Sequence, residues 1–371
     1  MRFSDYNTKA NKTFAYNING TYSPIRDIRF RANYSRSVRV PTLGDLFQPG
    51  TQNFGFVSDP CDSAFINSGT TNRPGNCAAL GVPAGFINTP ARSFSTEFQS
   101  AGNEDLLEET GKSLTLGAVV TPRWVPGLSL TVDYYRIRVE NLIATLSAQQ
   151  ILNTCVDLPD LSNQFCSFIF PRQTDDPATA DNEEGLLASP ALVSSGINFA
   201  RQEADGIDME VAYRRTFGNG HRLNFRGVAT RVLKRNNFVS PTDPKFGNRV
   251  LGELGDPKWA AQANITYGVG KFDLRYSVNY VGKATIGQYE NYFSFQGRPP
   301  ENPDFTEERF YPDVAYHALR GNFEIKDKFN FYLGVDNMFD KKPPLGLLGT
   351  AGGDPYDSIG RYFYAGATVD F

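Results

Sequence analysis

Apolar and polar residues alternate along most of this chain, one for one. Between Thr13 and Tyr22, the residues Phe14, Tyr16, Ile18, Gly20 and Tyr22 interleave with Ala15, Asn17, Asn19 and Thr21. Leu128, Leu130, Val132 and Tyr134 interleave with Ser129, Thr131 and Asp133. Phe272, Leu274, Tyr276, Val278 and Tyr280 interleave with Asp273, Arg275, Ser277 and Asn279. A period of two puts the two sets on opposite faces of a strand, whereas a helix would repeat its apolar positions every three or four residues. The same pattern begins at Ile28, Leu114, Ile207, Leu223, Trp259, Leu319 and Phe329.

With a strand at Arg2–Tyr6 and another at the C-terminal end, the count is about twelve, each near the ~9–11 residues that cross a bilayer as a tilted strand. The chain has no run of 18 apolar residues and its mean hydropathy is −0.38, which excludes a transmembrane helix. It does not exclude a transmembrane β-barrel, where only every second residue must be apolar. The high aromatic content (29 Phe, 18 Tyr), with 34 Gly and 23 Pro, points the same way, to strands and turns.

The connections choose between all-β architectures. Tight ones are expected near Pro24, Val125–Gly127, Phe217–Gly220, Gly268–Gly270 and Lys326–Lys328. Long ones are expected at residues 39–109, 141–195, 236–256, 285–311 and 340–357. Short and long alternate, apart from a brief first connection near residues 7–11. A soluble sandwich has no need of that rule, but an outer-membrane barrel has short periplasmic turns and long extracellular loops. Mid-strand charges on the polar face (Arg29, Arg31, Asp208, Glu210, Asp273, Arg275, Arg320, Glu324) suit a solvated lumen. The fold class is therefore all-β, a transmembrane antiparallel up-and-down barrel. After Tyr134 the apolar positions shift to Tyr135, Ile137 and Val139, which calls for a bulge or for the strand leaving the membrane.

The four cysteines, Cys61, Cys77, Cys155 and Cys166, all fall in long loops and include no Cys-x-x-Cys. They are expected to form disulfides in an oxidising compartment. Three pairings are open; Cys61–Cys77 and Cys155–Cys166 close the shortest loops. A net charge of −3 argues against a general electrostatic nucleic-acid binder.

No catalytic constellation emerges, and no cofactor or metal site is expected. Thr110–Ser113 reads like the end of a P-loop, but position 107 is Leu107, where that loop needs glycine. His221 and His317 have no second ligand at metal spacing. The acidic run Asp175, Asp176, Asp181, Glu183, Glu184 lacks the spacing and glycine of a calcium loop, and reads as a solvated loop. Residues Ser147–Cys155 read as a short loop helix. Asn11-Lys12-Thr13 matches a glycosylation pattern, a common chance match, at a strand start.

Several stretches resemble one family. "RANYSRSVRVPTLGDLF" (Arg31–Phe47) is similar to a strand followed by Arg-x-Pro-x-Leu-x-x-Leu-Phe. "ETGKSLTLGAVV" with "LTVDYYRIRVENLI" is similar to the hairpin that follows, and "EADGIDMEVAYR" to a strand carrying Gly-Ile-Asp/Glu. "YLGVDNMFDKKPP" (Tyr332–Pro344) resembles an Asn-x-Phe-Asp-Lys-x-Pro hallmark, and "GRYFYAGATVDF" a closing strand. These stretches resemble TonB-dependent outer-membrane receptors. The resemblance implies a 22-stranded barrel of which residues 1–371 are the C-terminal half, with the plug, the TonB box and a signal peptide not among these residues. Closure as a smaller barrel with an even strand number is the other possibility for the fold.

The resemblance also implies a function: a receptor in the outer membrane of a Gram-negative bacterium, not an enzyme. It would bind a scarce small-molecule nutrient at its outer loops and lumen and import it with energy relayed by TonB. A passive porin-like or ligand-binding barrel is the alternative. The partners implied are outer-membrane lipid, TonB through an N-terminal part, and the barrel-assembly machinery, with no nucleic acid. In the last strand Phe363, Ala365, Ala367, Val369 and Phe371 share one face. Phe363, Val369 and the terminal Phe371 resemble the signal that the assembly machinery reads.

Overall fold

The structure of the protein, a computed structural model, describes residues 1–88, 95–174, 184–325, 329–344 and 356–369. Twelve strands follow one another in chain order in a single sheet, each antiparallel to the next. They are β1 (Arg2–Asp5), β2 (Lys12–Ile25), β3 (Ile28–Arg39), β4 (Glu109–Val120), β5 (Leu128–Thr145) and β6 (Gly196–Thr216). The second six are β7 (His221–Phe238), β8 (Trp259–Val269), β9 (Phe272–Val281), β10 (Val314–Ile325), β11 (Phe329–Asp336) and β12 (Tyr362–Val369). Among the described residues β1 pairs only with β2 and β12 only with β11. The up-and-down order follows from tight turns at one end, which can join only antiparallel neighbours.

Register carries the alternation coherently across the sheet. Phe30 faces Tyr22 on one side and Ala118 on the other; Tyr134 lies between Leu116 and Ile207; Tyr276 lies between Ile265 and Leu319. The apolar set therefore forms one continuous face. Ile18, Tyr22, Leu333 and Phe363 are more than two-fifths exposed there, as a lipid-facing surface requires. The opposite face carries Arg31, Asp133, Asp208, Glu210, Arg226 and Asp273.

No bulge occurs at the phase shift after Tyr134. β5 stays in register with β4 and β6 through Val139, and its irregularity comes later, between Val139 and Ile143. Tyr135, Ile137 and Val139 keep the inner parity of Asp133, while Arg136, Arg138 and Glu140 take the outer one. The shift is a change in what the two faces carry rather than a break in pairing, so the first of the two explanations above does not hold. A bulge does occur in β7, where Leu233 is the extra residue between Val232 and Lys234.

The buried core lies in the long loops rather than the barrel wall. The described parts of segments 40–108 and 146–195 carry α1 (Leu43–Phe47), α2 (Arg73–Ala79) and α3 (Ala148–Asp157), and pack together through α2 and α3. Val57, Ile151, Leu152, Val156, Ala191 and Leu192 are almost fully buried in this cap. Thr51–Gly55, Thr96–Ser100 and Val193–Ser194 form a small sheet that ties the two segments. α3 starts where Ser147 caps Gln150, whose side chain returns the bond to the Ser147 N–H. A second, smaller core joins Ala284, Ile286, Tyr311, Val314 and Tyr356. The turn expected at Lys326–Lys328 lies outside the described residues.

Candidate ligand-binding lumen

Three adjacent strands build the centre of the inner face. Gly117 on β4 faces Arg31 on β3 and Asp133 on β5. A Cβ on Gly117 would collide with the Asp133 carboxylate and press on the Arg31 guanidinium, so only glycine lets these side chains meet over the intervening strand. They do: Arg31 Nε donates to Asp133 Oδ1 at 2.7 Å, and a second guanidinium N–H reaches Oδ2. One step toward the loops, Tyr135 lies over Gly206 on β6, again where a side chain would clash. Asp208 accepts from Thr230 Oγ1 at 2.6 Å, and Ser35 and Ser113 share a hydrogen bond of 2.7 Å.

Above this row the inner face opens into a cavity of about 820 Å³ lined by Arg31, Asp133, Tyr135, Ile137, Asp208 and Arg235 among others. Its size is that of a small-molecule site. Its charges are mixed in sign: Arg31 pairs with Asp133, and Arg235 with Asp256 from the loop above. Tyr135, Ile137 and Val139 supply apolar area between them. Such a wall can hold a ligand by both contact and hydrogen bonds.

The cap stands at the loop end of the sheet. Cys61 is bonded to Cys77 and Cys155 to Cys166, closing loops of 16 and 11 residues. Two buried ion pairs, unforeseen from sequence, hold the two capping segments to each other. Arg73 grips Asp157 with two hydrogen bonds of 2.8 and 2.6 Å and also donates to the Phe65 carbonyl. Arg172 grips Asp59 with two of 2.7 Å. Partners 84 and 113 residues apart leave no local signal; only the fold brings them together.

Thr110–Ser113 lies within β4, with no phosphate-binding loop around it. Nδ1 of His221 contacts the Tyr267 hydroxyl and Nδ1 of His317 lies 2.5 Å from the Tyr276 hydroxyl, both on the outer face. Among the described residues no three His, Cys, Asp or Glu side chains gather as a metal site. Asn11 takes the left-handed conformation (φ 47°) that closes the β1–β2 connection. Asp175, Asp176, Asp181 and Glu183 lie outside the described residues, as does Phe371. Phe363 and Val369 stand on the outer face of β12, opposite Val335 and Phe329.

A family model described as TonB dependent receptor-like, beta-barrel matches residues 1–338. Among solved structures, the siderophore receptor PirA from Acinetobacter baumannii is similar at a TM-score of 0.59 with 12% identity, over 100% of this chain and 42% of that one. The ferric enterobactin receptor PfeA from Pseudomonas aeruginosa gives 0.57 with 16% identity, over 98% and 41%. The FrpB iron transporter from Neisseria meningitidis gives 0.53 with 13% identity, over 97% and 40%. The chain thus spans about two-fifths of the length of these solved chains. No curated protein matches.

Proposed function

Since the chain belongs to the TonB-dependent receptor-like β-barrel family, whose barrels are receptors of the Gram-negative outer membrane rather than enzymes, we propose that it forms the wall of an importer. The protein takes a scarce small-molecule nutrient at its outer loops and lumen, and TonB supplies the energy for uptake. The observation carrying this reading is the sidedness of the sheet: an apolar outer face backs an inner cavity of about 820 Å³ with mixed charges, and disulfide-bonded loops stand at one end of the strands. Residues 1–371 are read as barrel wall throughout, with the plug and the TonB contact supplied by sequence outside them. The twelve strands then join further strands of a larger, 22-stranded barrel, consistent with the two-fifths coverage of the solved receptors.

Strains lacking this protein, screened on limiting iron chelates, cobalamin and oligosaccharides, should lose growth on one of them. Deleting TonB should reproduce that loss. Growth that depends on this protein but not on TonB would overturn energy coupling.

Phe363, Val369 and Phe371 are proposed as the signal read by the barrel-assembly machinery. The exposure of Phe363 (70%) on the outer face supports this. Deleting Phe371 should lower the yield of heat-modifiable barrel in the outer membrane, and an unchanged yield would refute the role.

A further inference from the structure

On the outer face, at the loop end of β7–β9, basic and aromatic side chains gather. Trp259 begins β8 and faces Arg231 across the β7–β8 pair, with the same parity as Ala261, Ile265 and Tyr267 below it. Tyr280 pairs with Ala261 and shares that face. Two adjoining cavities of about 570 and 440 Å³ open here and share Arg249, Leu251, Lys258 and Trp259; Lys283 lines the first and Arg231 the second.

The cations rest on rings rather than on acids. Arg231 stands 5.4 Å from the Trp259 ring, Arg249 3.9 Å over Tyr289, and Lys283 4.4 Å over Phe310. Among the described residues none of Arg231, Arg249, Lys258 and Lys283 forms an ion pair with a carboxylate, whereas nearby Lys234 and Arg235 do. Two carboxylates close by are engaged by backbone: Glu290 accepts from the Arg249 N–H and Glu253 from the Tyr289 N–H. Asp313 lines the larger cavity without an ion pair to any of the four cations among the described residues.

We propose that Arg231, Arg249, Lys258 and Lys283, set around Trp259 and Tyr280, bind the phosphorylated headgroup of a lipid in the outer leaflet. Tryptophan and tyrosine mark the headgroup level of a membrane barrel. Four cations at that level, none ion-paired with a carboxylate among the described residues, are complementary to phosphate. The apolar face continuing below, with Ala261, Ala263 and Ile265, receives acyl chains. The smaller cavity borders the lumen cavity at Val232 and Arg235, but Arg231, Trp259 and Tyr280 stand on the opposite face of the sheet from Arg31 and Asp133, so the site does not rest on the import reading.

The test uses the full-length protein purified in detergent, with lipid retention read by native mass spectrometry. The probes are lipopolysaccharide, its enzymatically dephosphorylated form, and inorganic phosphate as competitor. The phosphorylated form should be retained in preference to the dephosphorylated one. Arg231→Gln with Lys258→Gln, and Arg249→Gln with Lys283→Gln, should each weaken retention by roughly 30-fold. Equal retention of the two lipids by the unmodified protein would overturn the proposal, and this arm needs no variant to fold. So would folded variants, checked by heat-modifiable migration, that retain lipid undiminished. Displacement of the lipid by millimolar inorganic phosphate would assign the cations to free phosphate instead, and would also refute it.

Discussion

At the scale of single residues, the cap is held by groups that gain their worth from burial. The Arg73 and Asp157 side chains are 5% and 10% exposed, and those of Arg172 and Asp59 5% and 0%. Removing one member of such a pair strands a charge away from water, while replacing both with apolar groups of similar volume does not. Arg73→Met is therefore expected to destabilise the cap by about 3–5 kcal/mol. The double variant Arg73→Met/Asp157→Leu should recover much of that loss. Urea titration followed by protease cleavage within the cap measures both, and equal losses in the two variants would show that the pair is not what Arg73 contributes. None of this could be read from the sequence, because an arginine and an aspartate 84 residues apart look like any other surface charges. Gly117 is similar: it reads as one small residue in a strand until register sets Arg31 and Asp133 on either side of it.

At the scale of elements, the barrel strands were legible and the loops much less so. A strand announces its two faces in its own residues, as Phe272–Tyr280 does, and register repeats the message in each neighbour. α3 was legible too, since Ser147 and Gln150 stand at the spacing of a cap. The shift after Tyr134 was visible, but its cause was not: a bulge and a strand rising out of the membrane write the same pattern, and only pairing separates them. The basic cluster comes from three separate segments, namely β7, loop 239–258 and the stretch after β9, so no single stretch of sequence displays it. Loop 239–258 adds a pH dependence. Burial pushes the Glu253 carboxyl above its usual range and the neighbouring Glu290 adds to this, against the Tyr289 N–H that it accepts. Below the usual glutamate range both folded and unfolded loops hold the proton and folding carries no penalty. As pH rises the unfolded loop ionises first, and the penalty is complete above the raised pKa. Order around Tyr289 should thus weaken as pH rises through that window. Glu253→Gln, which keeps the acceptor oxygen, should flatten the dependence. Thermal melts of both proteins between about pH 4 and pH 7 check this. Parallel profiles would rule Glu253 out as the source.

At the scale of the whole molecule, an apolar outer face, a charged inner face and loops gathered at one end make a membrane wall with a sidedness. The cap at the loop end is tied by two disulfides and two buried ion pairs, and the cavity with Arg31, Asp133 and Tyr135 belongs to the inner face. This sidedness was legible because it is a sum over many strands, and an error in any one strand changes little. The central claim is that the barrel serves as a gated, energy-coupled receptor rather than an open pore. The most direct test is the conductance of the full-length protein in planar bilayers. The account predicts a barrel that passes no steady current under applied voltage; stable ohmic channels would contradict it and support a passive porin.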